Sequence, residues 1–502
     1  MPHLLGIDVG TTNIKAAVYD LGGQMRTVAS APTPITEASP GQATRDPEAL
    51  FQATVGVIRQ AVAQIEDPQA VVGLSVSSMG ESGVPLDARG HPVYPIIVWH
   101  DTRTLPYRAW WQAHFGDDRL YAICGLQPGH IFSLNKIMWL RDHEPEAYGR
   151  LASWLSVSDY VAYRLSGERA MSHPQACRTM AFDLHRLDWS PEILEAAGVP
   201  ASIFPSAVPS GRALGTLRAE AARACGLSRR TVVAAGGHDH ICAAVAAGVS
   251  GPGPLLDSIG TVEAVLAVLD RPQVEPTVRE LGLSCGVHAV PGRYYLIGGL
   301  LGVGPLLSWL VQTILQRPAT DQAYHALTDL AQASPRGAHG LYLLPFLTGA
   351  GAPRPAPRAS GAYLGLRLHH TRADLVRAAF EGLCYELRHL LESFGRVVPA
   401  QGSVLRAVGG GARNPFWLQL RADVTGHTVE VPRGTERGAL GAALLAGLGA
   451  GLYDDLCVQA AAAYGADQVY QPQPDAHRDY SARYDRTYRG LRQAAELVRA
   501  GE

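Results

Sequence analysis

Three loops in this chain carry the residue types that handle phosphates and hydroxyl groups. In GIDVGTTNIK, residues 6–15, Asp8 ends an apolar run, and Gly10, Thr11 and Thr12 form a turn ahead of Lys15. A phosphate bound there would meet backbone N–H groups, two hydroxyls and an ammonium, while Asp8 could hold a magnesium ion beside it. Lys15 is one of only two lysines, with Lys136, in a protein that otherwise uses arginine. The plainer alternative is a hairpin in which Gly10 supplies a positive φ. No Gly-x-x-x-x-Gly-Lys-Ser/Thr pattern occurs, which excludes a P-loop ATPase.

LDSIGT, residues 256–261, repeats the design, with Ser258, Gly260 and Thr261 after an apolar run. Two such turns facing each other would clamp a triphosphate from both sides. GGHDH, residues 236–240, sets Asp239 between a strand-like run and a helix, where a helix N-terminus keeps a carboxylate ionised and fit to act as a base for a hydroxyl. The alternatives are a helix cap and a metal site using His238 and His240, although no third spaced ligand accompanies them. GGGARN, residues 409–414, is a strand-to-helix turn that could admit a base or ribose to the backbone, or could be a close-packed turn; Asn414 is its polar group.

The elements that must position these loops alternate between strand and helix patterns, which argues an α/β fold. LLGIDVG, NIKAAVYD and QMRTVASAP read as a meander, followed by a helix opened by Asp46 and Pro47 and by the buried strand AVVGLSVSS. TVVAAGG, near Thr231, restarts the pattern, so the chain reads as two similar halves, 1–250 and 251–502, divided at the Gly-Pro-Gly-Pro of 251–254. The uncharged stretch between Arg293 and Arg317 is long enough to span a bilayer. Its central glycines and Pro305 favour a buried strand, a turn and a helix from about Pro305 to Leu315 instead. A net charge of −2, from 43 basic and 45 acidic residues, gives no field to draw the protein onto nucleic acid or anionic lipid. Seven scattered cysteines suggest neither a disulfide framework nor a zinc ribbon, and MPHLLGIDVGTT lacks a signal-peptide pattern, so a cytoplasmic location is expected.

In this order the pieces resemble the FGGY family of carbohydrate kinases over essentially the whole chain. Asp-x-Gly-Thr-Thr, the cluster Trp99, Asp101 and Arg103, Gly-Gly-His-Asp, Gly-Thr at 260 and Gly-Gly-Gly-Ala-Arg-Asn all have counterparts there. GAYLGLRLHHTRADLVRAAFE, residues 361–381, fits the family's second signature, including Gly365, Asp374, Ala378 and Glu381. Ser133, Lys136, Trp139, Asp142 and His143 fit the first, with Ile131 departing from it. The resemblance implies an actin-like ATPase fold, ribonuclease-H-like, with two similar domains and the nucleotide in the cleft between them. It implies ATP and Mg2+ as cofactors, Asp239 as catalytic base and Asp8 at the metal. Thr11, Thr12, Lys15, Gly260 and Thr261 fall at the phosphates; Gly410, Gly411 and Asn414 fall at the adenosine.

The same resemblance puts SSMGESGVPLD, residues 77–87, at the acceptor. Glu81 matches a glutamate of glycerol kinases, but Gly80 and Ile131 stand where those carry Arg and Tyr. Xylulose kinases resemble the chain at Trp99, Asp101 and Arg103, yet carry a Met-His pair where Gly80 and Glu81 stand. Glu81, His100, Asp101 and Arg103 are therefore expected to bind the acceptor together with Asp239, with no arginine beside Glu81 to neutralise it. Such a lining favours a neutral sugar or polyol, ketopentose-like, over gluconate. The alternatives are a kinase for gluconate or another acceptor, and an actin-like ATPase or pseudokinase that senses a sugar or nucleotide. The expected partner is a small-molecule sugar or polyol, with a homodimer admitted and no nucleic acid or membrane.

Overall fold

The computed structural model describes residues 1–39, 41–398 and 402–499. Strands His3–Val9, Asn13–Tyr19 and Met25–Pro32 form the expected antiparallel meander. Helix Pro47–Val62 follows; the Asp46 side chain accepts the Ala49 N–H at 2.7 Å, and Pro47 occupies a first-turn position where no N–H is missed. The next strand, Val71–Ser78, is buried along almost its whole length because it lies centrally, parallel to His3–Val9 on one side and to Val232–His238 on the other. Ala213–Thr216 closes that edge in antiparallel pairing.

The second sheet repeats this plan. Leu255–Ile259, Glu263–Leu269 and Tyr294–Leu300 form an antiparallel meander, and Val404–Val408 and Thr428–Pro432 continue in parallel from its first strand. Ser284–Val287 and Ala466–Tyr470 extend the two edges. A three-stranded meander followed by two parallel strands, built twice, is the actin-like ATPase architecture expected from the sequence. The uncharged stretch after Arg293 is strand Tyr294–Leu300, a turn, and helix Val303–Thr313, which begins two residues before the expected start. Among the described residues no helix is long and apolar enough to cross a membrane.

One element ties the halves together. Helix Arg437–Gly449, late in the second half, lies on strands His3–Val9, Val71–Ser78 and Val232–His238 of the first sheet and against helix Asp239–Ala246. Its approach is backbone to backbone: a Cβ on Gly6 would fall 1.7 Å from the Ala439 carbonyl oxygen, and one on Gly441 2.0 Å from that of Cys242. The alanines and glycines of ERGALGAALLAGLGAG thus have a steric cause.

The second family signature is structural. The Thr371 hydroxyl and Asp374 cap helix Arg372–Val397 reciprocally, Ala378 is buried, and Glu381 accepts the Gly337 N–H and bonds Arg377 and Tyr480.

Candidate active site

Register brings Asp8, Ser77 and Gly237 abreast on three neighbouring parallel strands, so Asp8 and Asp239 leave the first sheet at the same edge. Such carboxyl ends of parallel strands are where open α/β sheets bind ligands. Asp8 Oδ1 accepts the Ser77 hydroxyl at 2.6 Å, and the carboxylate rests against Gly438, whose absent Cβ would lie 2.8 Å from its Cγ. Burial, and then the negative charge of Asp239, push the Asp8 carboxyl up to about 7. Asp239 is the first residue of helix Asp239–Ala246, with Oδ1 accepting the His240 N–H at 2.7 Å. Its side chain is 32% exposed, so a substrate hydroxyl can reach it. Burial lifts its carboxyl above the usual range, opposed by the charges of His240 and Arg178 and helped by that of Glu81.

Oxygen donors held at such a cost suit a hard cation. Among the described residues no group of three or more His, Cys, Asp or Glu could hold a metal alone. Asp8 and Asp239, two carboxylates on one sheet edge, suit Mg2+, which uses one or two carboxylates together with substrate phosphates and water.

In the Gly10–Thr12 turn the Thr11 hydroxyl accepts the Trp99 indole N–H at 3.1 Å, and the Thr11 carbonyl accepts from the buried Arg45 guanidinium at 2.7 Å. Thr12 is exposed, with its carbonyl bonded to the Thr33 N–H. Gly10 does not take a positive φ; the Asn13 carbonyl, 2.9 Å from where a Cβ would be, is what favours glycine there. Lys15 sits opposite Asp8 in the hairpin, and its ammonium pairs with Glu436 at 2.7 Å.

Gly260 and Thr261 close the second-half hairpin and are held against helix Val303–Thr313, the Gly304 N–H donating to the Thr261 carbonyl at 3.2 Å. On the adjacent strand end the glycine turn packs onto Ile259, leaving 2.3 Å between its Cγ2 and a Cβ on Gly411. A cavity of about 800 Å³ opens between them. Gly260, Gly410, Gly411 and Asn414 border it, and Leu307, Tyr324 and Phe380 give it apolar walls. The Asn414 side chain is also a helix cap, accepting the Trp417 N–H at 3.1 Å and donating to the Thr328 hydroxyl at 2.9 Å. Beneath this cavity Arg421, fully buried, bonds Asp257 at 2.8 Å and Glu263 at 2.6 Å, the residues flanking the Gly260 turn. It thereby fastens the Gly260 turn to helix Pro415–Thr425.

Two acceptor expectations are corrected. Asp101 is buried and fully engaged: Oδ1 accepts the Arg103 backbone and Nε protons, and Oδ2 accepts the Ala43 N–H and Arg103 Nη2. Arg103 also lies over the Trp139 ring at 4.8 Å, so the two charges hold this loop together rather than lining the cleft. Glu81 does have an arginine partner. Arg178, from the short turn Cys177–Thr179, donates Nε to Glu81 Oε1 at 2.6 Å, with Nη2 against the same oxygen. The sequence expectation missed it because the contact spans 97 residues and no local pattern marks it. Glu81 takes φ +59°, and its carbonyl accepts from the Lys136 ammonium at 2.6 Å and the Ser133 hydroxyl at 3.2 Å. Ser133 and Lys136 therefore fix the loop around Glu81. His100 packs edge-on against Trp99 at 5.1 Å.

Residues 3–246 match the N-terminal domain of the FGGY family of carbohydrate kinases, and residues 255–450 match its C-terminal domain. The chain belongs to this family. This FGGY kinase is accordingly a phosphotransferase acting on sugars, with ATP as donor. It is 31% identical to a xylulose kinase of Staphylococcus epidermidis over 502 residues, covering 99% of this chain and 98% of the relative. It is also 31% identical to a glycerol kinase of Methylibium petroleiphilum, covering 97% and 99%. The solved structure of a xylulose kinase from Rhodospirillum rubrum superposes with a TM-score of 0.90 at 29% identity, covering 99% of both chains.

Proposed function

We propose that this FGGY kinase phosphorylates a small neutral sugar of the ketopentose class, xylulose-like, from ATP and Mg2+. The observation that carries the proposal is the part-exposed Asp239 carboxylate on the same sheet edge as Asp8. Asp239 takes the proton of the attacking hydroxyl, for which a carboxyl raised above its usual range is a better base. Backbone N–H groups and hydroxyls of the Thr11–Thr12 and Gly260–Thr261 turns hold the phosphates in line, since phosphoryl transfer asks mainly for positioning and charge stabilisation. Bound at Asp8, a magnesium ion would neutralise charge on the phosphate oxygens. The halves 1–250 and 251–502 close around the ligands, which excludes water as a competing acceptor.

The relatives named xylulose kinase support the ketopentose choice; the glycerol kinase at equal identity shows that identity alone does not decide it. Charge no longer argues against an aldonate, because Arg178 neutralises Glu81. The test is ADP release with ATP and Mg2+ against D-xylulose, L-xylulose, D-ribulose, glycerol and gluconate. A ketopentose is expected to give the highest kcat/KM, and glycerol or gluconate doing so refutes the assignment.

A further inference from the structure

Two buried polar atoms beside the base have no partner. Arg178 commits Nε and Nη2 to Glu81, and its Nη1 is buried without a hydrogen bond. His238, the residue before Asp239, has its Nδ1 buried without one as well. Its Nε2 stands 3.2 Å from Asp239 Oδ1. Both side chains close over Gly80, where a side chain has no room: a Cβ there would lie 2.8 Å from His238 Cδ2 and 3.8 Å from Arg178 Cγ. Glu81, Arg178, His238 and Asp239 therefore form one cluster around Gly80.

The chemistry of the two orphans is complementary. A guanidinium nitrogen only donates. Burial, with the charges of His240 and Arg178 next, holds His238 well below its ordinary value, so the ring is neutral. The tautomer that suits a carboxylate at Nε2 carries its hydrogen there, which leaves Nδ1 as a bare acceptor. Buried polar groups are almost always satisfied, so this pair next to the Asp239 carboxylate calls for a partner, a water or a ligand group.

We infer that Arg178 and His238 form the subsite that reads the acceptor, Arg178 Nη1 donating to one of its oxygens and His238 Nδ1 accepting from one of its hydroxyls, while Asp239 takes the hydroxyl that is phosphorylated. The inference rests on the cleft being that of a sugar kinase, and it specifies a polyhydroxylated acceptor with oxygens next to the reacting one. His238 has a second role as a positioning residue, holding the Asp239 carboxylate through Nε2. Gly80 is needed because any side chain there would push the ring off the base.

The experiment measures equilibrium binding of D-xylulose, 1-deoxy-D-xylulose, xylitol and gluconate in the presence of a non-hydrolysable ATP analogue, with turnover measured separately. Arg178→Gln is expected to weaken D-xylulose by about tenfold or more at unchanged affinity for the ATP analogue. The double variant Glu81→Gln/Arg178→Gln, which leaves no charge unpaired, should show the same loss and protects the test against misfolding. The penalty should shrink to under about threefold for the compound lacking the oxygen that Arg178 contacts, which loss of structure alone would not produce. Gly80→Ala should lower kcat more than it raises acceptor KM. If the wild type phosphorylates D-xylulose and both arginine variants bind every compound within about twofold of wild type, the subsite is refuted and the function stands. If the wild type takes only gluconate, the ketopentose assignment falls, and the same variants measured with gluconate decide the subsite. A wild type that binds none of the compounds overturns both.

Discussion

Replacing Gly438 by Ala tests the geometry of the site through a residue that carries no functional group. The new methyl would sit 2.8 Å from the Asp8 Cγ and Oδ2 and 2.9 Å from Oδ1, so the carboxylate must swing away. Asp8 would then lose the 2.6 Å bond from the Ser77 hydroxyl, worth about 1.5–3 kcal/mol for a charged acceptor. Against this, alanine in place of glycine inside helix Arg437–Gly449 gains about 1 kcal/mol of helix propensity. The net cost is about 0.5–2 kcal/mol, a drop in Tm of a few degrees at most that leaves the protein folded at assay temperature. The effect on chemistry should be far larger, because misplacing a catalytic group by about 1 Å can cost on the order of 10²-fold in rate. ADP release at saturating acceptor, run beside thermal unfolding, separates the two effects. A kcat within about twofold of wild type in a folded variant would refute the role given to Asp8.

Asp239→Asn keeps the size of the side chain but removes the proton acceptor; kcat should fall by about 10²–10⁴ while calorimetric ATP binding persists. Arg421→Met strands Asp257 and Glu263 together in the core, and denaturant unfolding should show a loss of about 3–5 kcal/mol. Buried Asp159 has its carboxyl raised from 3.8 to about 7 by burial, so the folded state holds its proton more tightly than the unfolded state does. Stability from this group is complete below pH 3.8 and lost as pH rises to 7, by ~4 kcal/mol at most. Asp159→Asn should therefore flatten that fall, and unfolding curves across this range that parallel wild type would contradict it. Small-angle scattering should show a more compact particle with acceptor and ATP analogue bound together than with neither, and an unchanged radius would argue against closure.

The parts legible in the sequence were those fixed by strand ends and turn chemistry. Asp8, Asp239, Gly260 and the 409–414 turn each follow an apolar run, and a parallel strand of that length delivers its next residue to the ligand edge of the sheet. Asn414 directly before Pro415 is a helix-start arrangement that the reading of this turn as a nucleotide loop passes over, and its side chain caps the helix. What could not be read was side-chain pairing. The Asp101 and Arg103 charges stand two residues apart in a turn and satisfy each other, a local option that a search for cleft residues overlooks. Glu81 meets Arg178, and Lys15 meets Glu436, across separations that only the folded topology closes.

The seating of helix Arg437–Gly449 on the first sheet has a consequence for cooperativity. Two halves of like topology suggest two units that could melt in separate steps. Yet the last parallel strands of the first sheet bury one face beneath a segment that the chain supplies almost two hundred residues later than Asp239. Melting the second half withdraws that cover and exposes the surface at Gly6 and Gly73, which the helix backbone contacts directly. The chain should therefore unfold in a single calorimetric transition despite its internal repetition, and the first half should hold its native sheet only while the second is folded on it.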